Sequence, residues 1–148
     1  MKRVDLIADG SCLAHRGPGG WACLLIYNGR ERVLTGGSHR TTNNQMELKA
    51  VTMGLLALRE PCEVSVFTDS KYVQEGMSRL VNVWSTRRWR NSRGRPLPNQ
   101  RLWTELRRAA ERHRMTWHWV KGHGGDVRHN RCDLLARNAA RSLVRKVA

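Results

Sequence analysis

Glu63-Val64-Ser65-Val66-Phe67-Thr68-Asp69-Ser70-Lys71 is the stretch that decides the fold. Val64, Val66 and Phe67 read as a short strand that runs into Asp69 and Ser70, either of which can cap a helix beginning near Lys71. Upstream, Thr42 with Gln45 three residues on has the pattern of a capping box, and Met46, Ala50, Met53 and Ala57 follow at helical spacing until Pro61 stops them. Strand, helix and strand in this order imply a parallel crossover. Further upstream lie three strands: Val4 to Asp9, Trp21 to Tyr27, and Arg32 to about Ser38. Arg16-Gly17-Pro18-Gly19-Gly20 separates the first two, and Asn28-Gly29, a strong hairpin signal, joins the second to the third. Downstream, Asn99 can cap a helix carrying Leu102, Leu106 and Ala109, and Met115 to Val120 supplies a fifth strand. Cys132, Ala136, Ala139 and Leu143 mark the buried stripe of a last helix, while Trp103, Trp117 and Trp119 fall at core-like positions. The expected architecture is α/β: a mixed five-stranded sheet flanked by helices.

Nothing divides the chain. It has no repeat, no low-complexity tract and no Gly/Ser-rich linker, so its 148 residues read as a single domain. A domain of this size buries about 68–70% of its unfolded surface and needs no disulfide or structural metal. No apolar run approaches the roughly 18 residues of a membrane span. Met1-Lys2-Arg3 is followed by Asp5 and Asp9 rather than by a signal-peptide core, which disfavours secretion. Cys12, Cys23, Cys62 and Cys132 lie far apart, with no Cys-x-x-Cys pair, and read as buried thiols in a reducing cytoplasm.

The chain carries 27 Lys+Arg against 12 Asp+Glu, a net charge of +15. Such an excess points to a polyanion, nucleic acid first and an anionic membrane second. The excess is uneven. Between Glu75 and Glu105 there is no acid, while Arg79, Arg87, Arg88, Arg90, Arg93, Arg95 and Arg101 all fall there, interleaved with Trp84 and Trp89. That mix suits a surface that tracks a sugar–phosphate backbone; equally, it suits a partly solvated helix with its tryptophans turned inward.

In so basic a chain the placement of acids is informative. Asp9 ends the first strand, Asp69 ends the fourth, and Glu47 lies in the first turn of a helix. Each acid alone reads more readily as a helix cap or a solvated strand end. If the first and fourth strands are neighbours, however, Asp9 and Asp69 meet in the crevice beyond their C-terminal ends, where ligands bind in open α/β sheets. Clustered carboxylates repel one another unless a hard divalent cation, Mg²⁺ or Mn²⁺, neutralises them. Asp133 sits near the start of the last helix, and His123 is set among Gly122, Gly124 and Gly125, a loop position suited to proton exchange near neutral pH.

Five segments in order, Asp9-Gly10-Ser11-Cys12, Thr41-Thr42-Asn43-Asn44-Gln45-Met46-Glu47-Leu48, Thr68-Asp69-Ser70-Lys71-Tyr72-Val73, Trp119-Val120-Lys121-Gly122-His123 and Arg131-Cys132-Asp133, resemble those of bacterial-type ribonuclease HI. The resemblance covers nearly the whole chain. It implies a ribonuclease H-like fold, with three antiparallel strands and then two parallel ones, and an endonuclease that hydrolyses the RNA strand of RNA–DNA hybrids to 5′-phosphate and 3′-hydroxyl ends. By the same resemblance Asp9, Glu47, Asp69 and Asp133 would hold two Mg²⁺ ions, with Mn²⁺ as a possible substitute, and His123 would assist proton transfer or product release. Substrate contacts are implied at Cys12, Asn43, Asn44, Tyr72 and Trp84. Arg40, Thr42 and Asn99 would form a pocket for a DNA phosphate. Residues at about 80–98 would be a basic handle. The implied enzyme is a cytoplasmic monomer that meets hybrid without a membrane, a protein partner or a separate hybrid-binding domain.

Two departures stand out. His129 and Asn130 occupy positions where the family often has Asn and Glu, and Leu80 stands where a handle tryptophan is common. His129 would hold water or phosphate less well than Asn, or would add a titrating group; rate and pH optimum are open for that reason. Two other classes share the charge pattern. A non-catalytic nucleic-acid-binding module would gain nothing from four acids facing a phosphate backbone. The ribonuclease H-like part of a retroelement polyprotein would share the fold, but Gln45-Met46-Glu47-Leu48 and Gly122-His123-Gly124 look specifically like ribonuclease HI.

Overall fold

The computed structural model describes residues 1–147. Five strands form one sheet: β1 (Lys2–Cys12), β2 (Gly17–Tyr27), β3 (Arg30–Thr41), β4 (Cys62–Thr68) and β5 (Arg114–Trp119). Their order is β3-β2-β1-β4-β5. β1, β2 and β3 are antiparallel, whereas β4 and β5 join parallel to β1 and to each other, as the sequence implies. Asn28 and Gly29, both with positive φ, make the two-residue turn between β2 and β3.

Several bounds differ from expectation: β3 is longer at both ends than Arg32 to Ser38, and β5 is shifted one residue back from Met115 to Val120. β1 continues past Asp9 to Cys12, and β2 already begins at Gly17, so the glycine-rich segment is strand rather than separator. Close packing explains why glycines are needed inside it. A Cβ on Gly20 would lie 2.3 Å from the Ala136 carbonyl oxygen, so only glycine lets the last helix seat against this strand.

The helices cover both faces. α1 (Asn43–Ala57) and α4 (Gln100–Ala110) pack on one, where Leu6, Leu48, Val51, Leu55, Val66, Trp103 and Leu106 are fully buried. α5 (Val127–Val147) packs on the other, over Ile7, Ala22 and Leu24 through Cys132 and Ala136. Its buried stripe continues at Ala140, with Ala139 and Leu143 only half-buried. Thr42 caps α1 by accepting from the Gln45 N–H at 3.2 Å. The reciprocal half of the expected capping box is missing, because the Gln45 side chain turns instead to Thr41 and Asn99. With α1 beginning at Asn43, Glu47 is its fifth residue and lies in the second turn, not the first.

Ser70 rather than Asp69 caps α2 (Lys71–Glu75), accepting from the Val73 N–H. The chain runs on through a wide π turn at Gly76–Leu80 into α3 (Val81–Thr86). Beyond α3, a small hairpin around Asn91–Gly94 brings Arg90 opposite Pro96. All seven arginines of the acid-free segment are exposed. Trp84 is half-buried and packs edge-on against Trp103 with ring centroids 5.1 Å apart. A Cβ on Gly76 would come within 2.1 Å of the same Trp103 ring. Gly76→Ala is therefore expected to destabilise the protein by about 2–3 kcal/mol, visible as a lower urea midpoint at unchanged slope.

Asn99 heads α4 in a left-handed conformation (φ 63°) and makes no side-chain cap, contrary to expectation. Its amide instead bridges two elements, donating to the Tyr72 hydroxyl at 3.1 Å and accepting from Gln45 Nε2 at 3.2 Å. Trp119 is likewise not core. It is 44% exposed at the end of edge strand β5.

Candidate active site

Strand periodicity brings the first pair of acids together. Ile7 of β1 lies opposite Phe67 of β4 in the parallel register, and both side chains face α5. Two residues further along each chain, Asp9 and Asp69 point the same way. α5 supplies the third acid. Cys132 and Ala136 press on the sheet, and Asp133, beside Cys132, is held at the helix margin with Arg137 Nη2 2.9 Å away. Glu47 arrives from the opposite layer, over the end of β1. Gly10 allows this approach, since a Cβ there would lie 2.5 Å from the Glu47 backbone nitrogen.

The four carboxylates line one cleft of about 490 Å³, together with Cys12, Asn43, Asn44 and Tyr72. Asp9 is only 2% exposed and Glu47 8%. Burial pushes the Asp9 carboxyl up to about 8, with the Asp69 and Asp133 charges adding to the effect. Burial, then the neighbouring Asp9 charge, drives Glu47 well above the usual carboxylate range. Asp9 Oδ2 and Glu47 Oε2 are buried without any hydrogen-bond partner. Two orphaned, desolvated acid oxygens in one cleft are costly in the protein alone, and they fit a hard divalent cation that would accept them as ligands.

His123 has positive φ (55°) and lies at the rim, its side chain 79% exposed and Nδ1 3.9 Å from Asp133 Oδ2. Asn43 is exposed and accepts from the Cys12 N–H at 2.7 Å, which ties the end of β1 to the start of α1. The Tyr72 hydroxyl accepts from both Asn99 and Trp103 Nε1. Arg40 and Asn99 line a separate cavity beside the cleft with Gln45 and Lys49. Thr42 and Asn99 share an adjoining one with Asn43, Asn44 and Arg16.

Two residues at the site have roles that sequence reasoning did not assign. Trp119 donates from Nε1 to the Asp69 carbonyl at 2.9 Å and carries Lys71 Nζ 4.9 Å above its ring, bracing the end of β4. His129 is 1% exposed beneath the carboxylates, its Nε2 3.7 Å from Asp69 Oδ1 and 4.0 Å from Asp9 Oδ2. Its spacing was the available signal: residue 129 lies three before Cys132 and four before Asp133 on one helix face.

The sheet thus gathers Asp9 and Asp69 at adjacent strand ends, and the exposed arginines of residues 79–101 lie outside that cleft. The profile of the RNase H family matches residues 1–141. The chain is 51% identical to the Ribonuclease H of Xanthomonas oryzae pv. oryzae (strain MAFF 311018), over 95% of this chain and 93% of that protein. It is 47% identical to the Ribonuclease H of Brucella ovis, over 93% of this chain and 89% of that one. Among solved structures it resembles LC9-RNase H1, described as a type 1 RNase H with the type 2 active-site motif, at TM-score 0.86 and 32% identity, covering 95% of this chain and 73% of that one. At 15% identity, the fold alone is shared with LC11-RNase H1, solved in complex with RNA/DNA hybrid (TM-score 0.75, covering 95% of this chain and 99% of that one). The chain belongs to the RNase H family, and with it to the nuclease hydrolases.

Proposed function

We propose that this protein is an endoribonuclease that hydrolyses the RNA strand of RNA–DNA hybrids by two-cation catalysis, leaving 5′-phosphate and 3′-hydroxyl ends. The observation that carries this reading is the convergence of Asp9, Glu47, Asp69 and Asp133 on one cleft, two of them buried with orphaned oxygens. Divalent cations, Mg²⁺ or Mn²⁺, held by these four residues would activate the attacking water and offset charge on the leaving 3′ oxygen.

The remaining residues bind and orient. Asn43 and Asn44, exposed at the head of α1, offer short amides to the 2′-hydroxyls that distinguish RNA from DNA. Cys12 and Tyr72 shape the cleft wall beside them. Arg40, Thr42 and Asn99 receive a phosphate of the DNA strand. Asn99 is pre-set for that task by its bonds to Gln45 and Tyr72. The handle at about 80–98 grips the backbone through its exposed arginines, while Trp84 supports that surface from inside by packing on Trp103. His123, at the exposed rim beside Asp133, is placed to exchange a proton with the departing product.

The protein acts as a cytoplasmic monomer and a single catalytic unit. All four cysteines carry free thiols, and among the described residues no helix is long and apolar enough to cross a membrane. A gel assay with labelled RNA–DNA hybrid, RNA duplex and DNA duplex tests the reading. Cutting is expected in the RNA of the hybrid alone, with Mg²⁺ present and not with chelator. Equal cutting of RNA duplex, or cutting that survives chelation, would exclude it.

A further inference from the structure

We infer that His129 is a direct nitrogen ligand of a divalent cation held between Asp9 and Asp69, and that it biases this site toward Mn²⁺ over Mg²⁺. The inference rests on the cation-binding role given above to Asp9 and Asp69.

Three observations carry it. His129 is 1% exposed, and neither of its ring nitrogens has a hydrogen-bond partner. A buried imidazole with both nitrogens unused is costly, so packing alone gives no reason for a histidine here. Its Nε2 stands 3.7 Å from Asp69 Oδ1 and 4.0 Å from Asp9 Oδ2, too far for hydrogen bonds of about 2.7–3.2 Å. Those separations are nevertheless within the span of about 4.2 Å that one ion can bridge with two bonds of roughly 2.1 Å. Lastly, Asp9, Asp69 and His129 are a group among the described residues whose potential ligand atoms all lie within 4.8 Å of one another.

The backbone fixes the imidazole in this position. Asp126 heads α5, accepting from the His129 N–H at 3.1 Å, so residue 129 is locked in the first turn. The stripe through Cys132 and Ala136 then presses that face onto β1 and β4. Carboxylates and water suit Mg²⁺ and Mn²⁺ alike, whereas an imidazole nitrogen bonds a transition-metal ion better than a hard main-group ion and so favours Mn²⁺ of the two.

The test uses the intact protein and Mn²⁺ itself. Pulsed electron paramagnetic resonance of the Mn²⁺-loaded chain is expected to show modulation from a directly bound nitrogen. That modulation should change on ¹⁵N-histidine labelling, disappear in His129→Asn and survive in His123→Ala. Calorimetric titration is expected to show His129→Asn binding Mn²⁺ about tenfold more weakly, with Mg²⁺ affinity changed less than about threefold. The labelled, unsubstituted chain gives the nitrogen signature even where the variant fails to fold. Mn²⁺ bound without nitrogen modulation, but lost in Asp9→Asn, would overturn the role of His129 and leave the carboxylate site standing. Failure of millimolar Mn²⁺ to bind at all would overturn both.

Discussion

Asp9→Asn is expected to lower the rate of hybrid cleavage by at least about a thousandfold, equivalent to roughly 4 kcal/mol of transition-state stabilisation, while the metal-free fold becomes more stable. Both effects have one cause. Asp9 is a desolvated carboxyl surrounded by other acids, so its charge is unfavourable until a cation offsets it. In the unfolded chain Asp9 titrates near its ordinary value of about 3.9, and in the fold at about 8. Between those values the folded protein holds the extra proton, so the Asp9 contribution to stability is complete below about pH 4 and is lost as pH rises to about 8. At pH 8 with chelator, Asp9→Asn is expected to melt above the parent by at least about 4–8 °C, from roughly 2 kcal/mol or more. At or below about pH 4 the two should nearly coincide. Mg²⁺ at a hundred times its dissociation constant should raise the parent by about 2.7 kcal/mol and the variant by much less. His113, whose imidazole is held below its ordinary value chiefly by burial, works in the opposite direction as pH falls, equally in parent and variant. Calorimetric melts across this range check each of these outcomes. Unchanged cleavage by Asp9→Asn would contradict its role at the cation site.

The second large effect concerns the arginine-rich segment. Replacing Arg87, Arg88 and Arg90 by Ser is expected to weaken hybrid binding on the order of a hundredfold at low salt. It should also reduce the slope of log affinity against log salt by about 2–3, near 0.9 for each phosphate contact removed. All three are exposed and lie outside the cleft that holds the acids, so the loss belongs to KM. Filter binding from 50 to 300 mM salt would measure it. A slope equal to that of the parent would mean that the segment does not contact backbone.

What the sequence disclosed follows from how local each cause is. The Asn28-Gly29 turn is set by two adjacent residues and was legible at once. The meeting of Asp9 and Asp69 needed only strand periodicity and the adjacency of β1 and β4, which the structure supplies. Glu47 was different. Met46, Glu47 and Leu48 are all buried, so no polar face of α1 announces a functional acid, and its importance rested on family resemblance. Gly17, Gly19 and Gly20 read as a break because glycine usually interrupts strands, whereas here Gly20 admits the backbone of α5, a contact more than a hundred residues away in sequence. Trp119 shares the alternation of Trp117, yet it stands at the end of an edge strand with only Lys71 above it, and period alone carries no information about sheet position. His129 looked like a departure at the helix start; its burial against Asp9 and Asp69 depends on how α5 docks across the sheet.

The most direct measurement of the reaction is mass spectrometry of the cut strand after one turnover of RNA–DNA hybrid in ¹⁸O-water with Mg²⁺. Attack by a water activated at the carboxylate cleft gives a 5′-phosphate carrying one ¹⁸O and an unlabelled 3′-hydroxyl, with the DNA strand intact. A 2′,3′-cyclic phosphate, formed by attack of the RNA's own 2′-hydroxyl, would contradict the role assigned to Asp9, Glu47, Asp69 and Asp133.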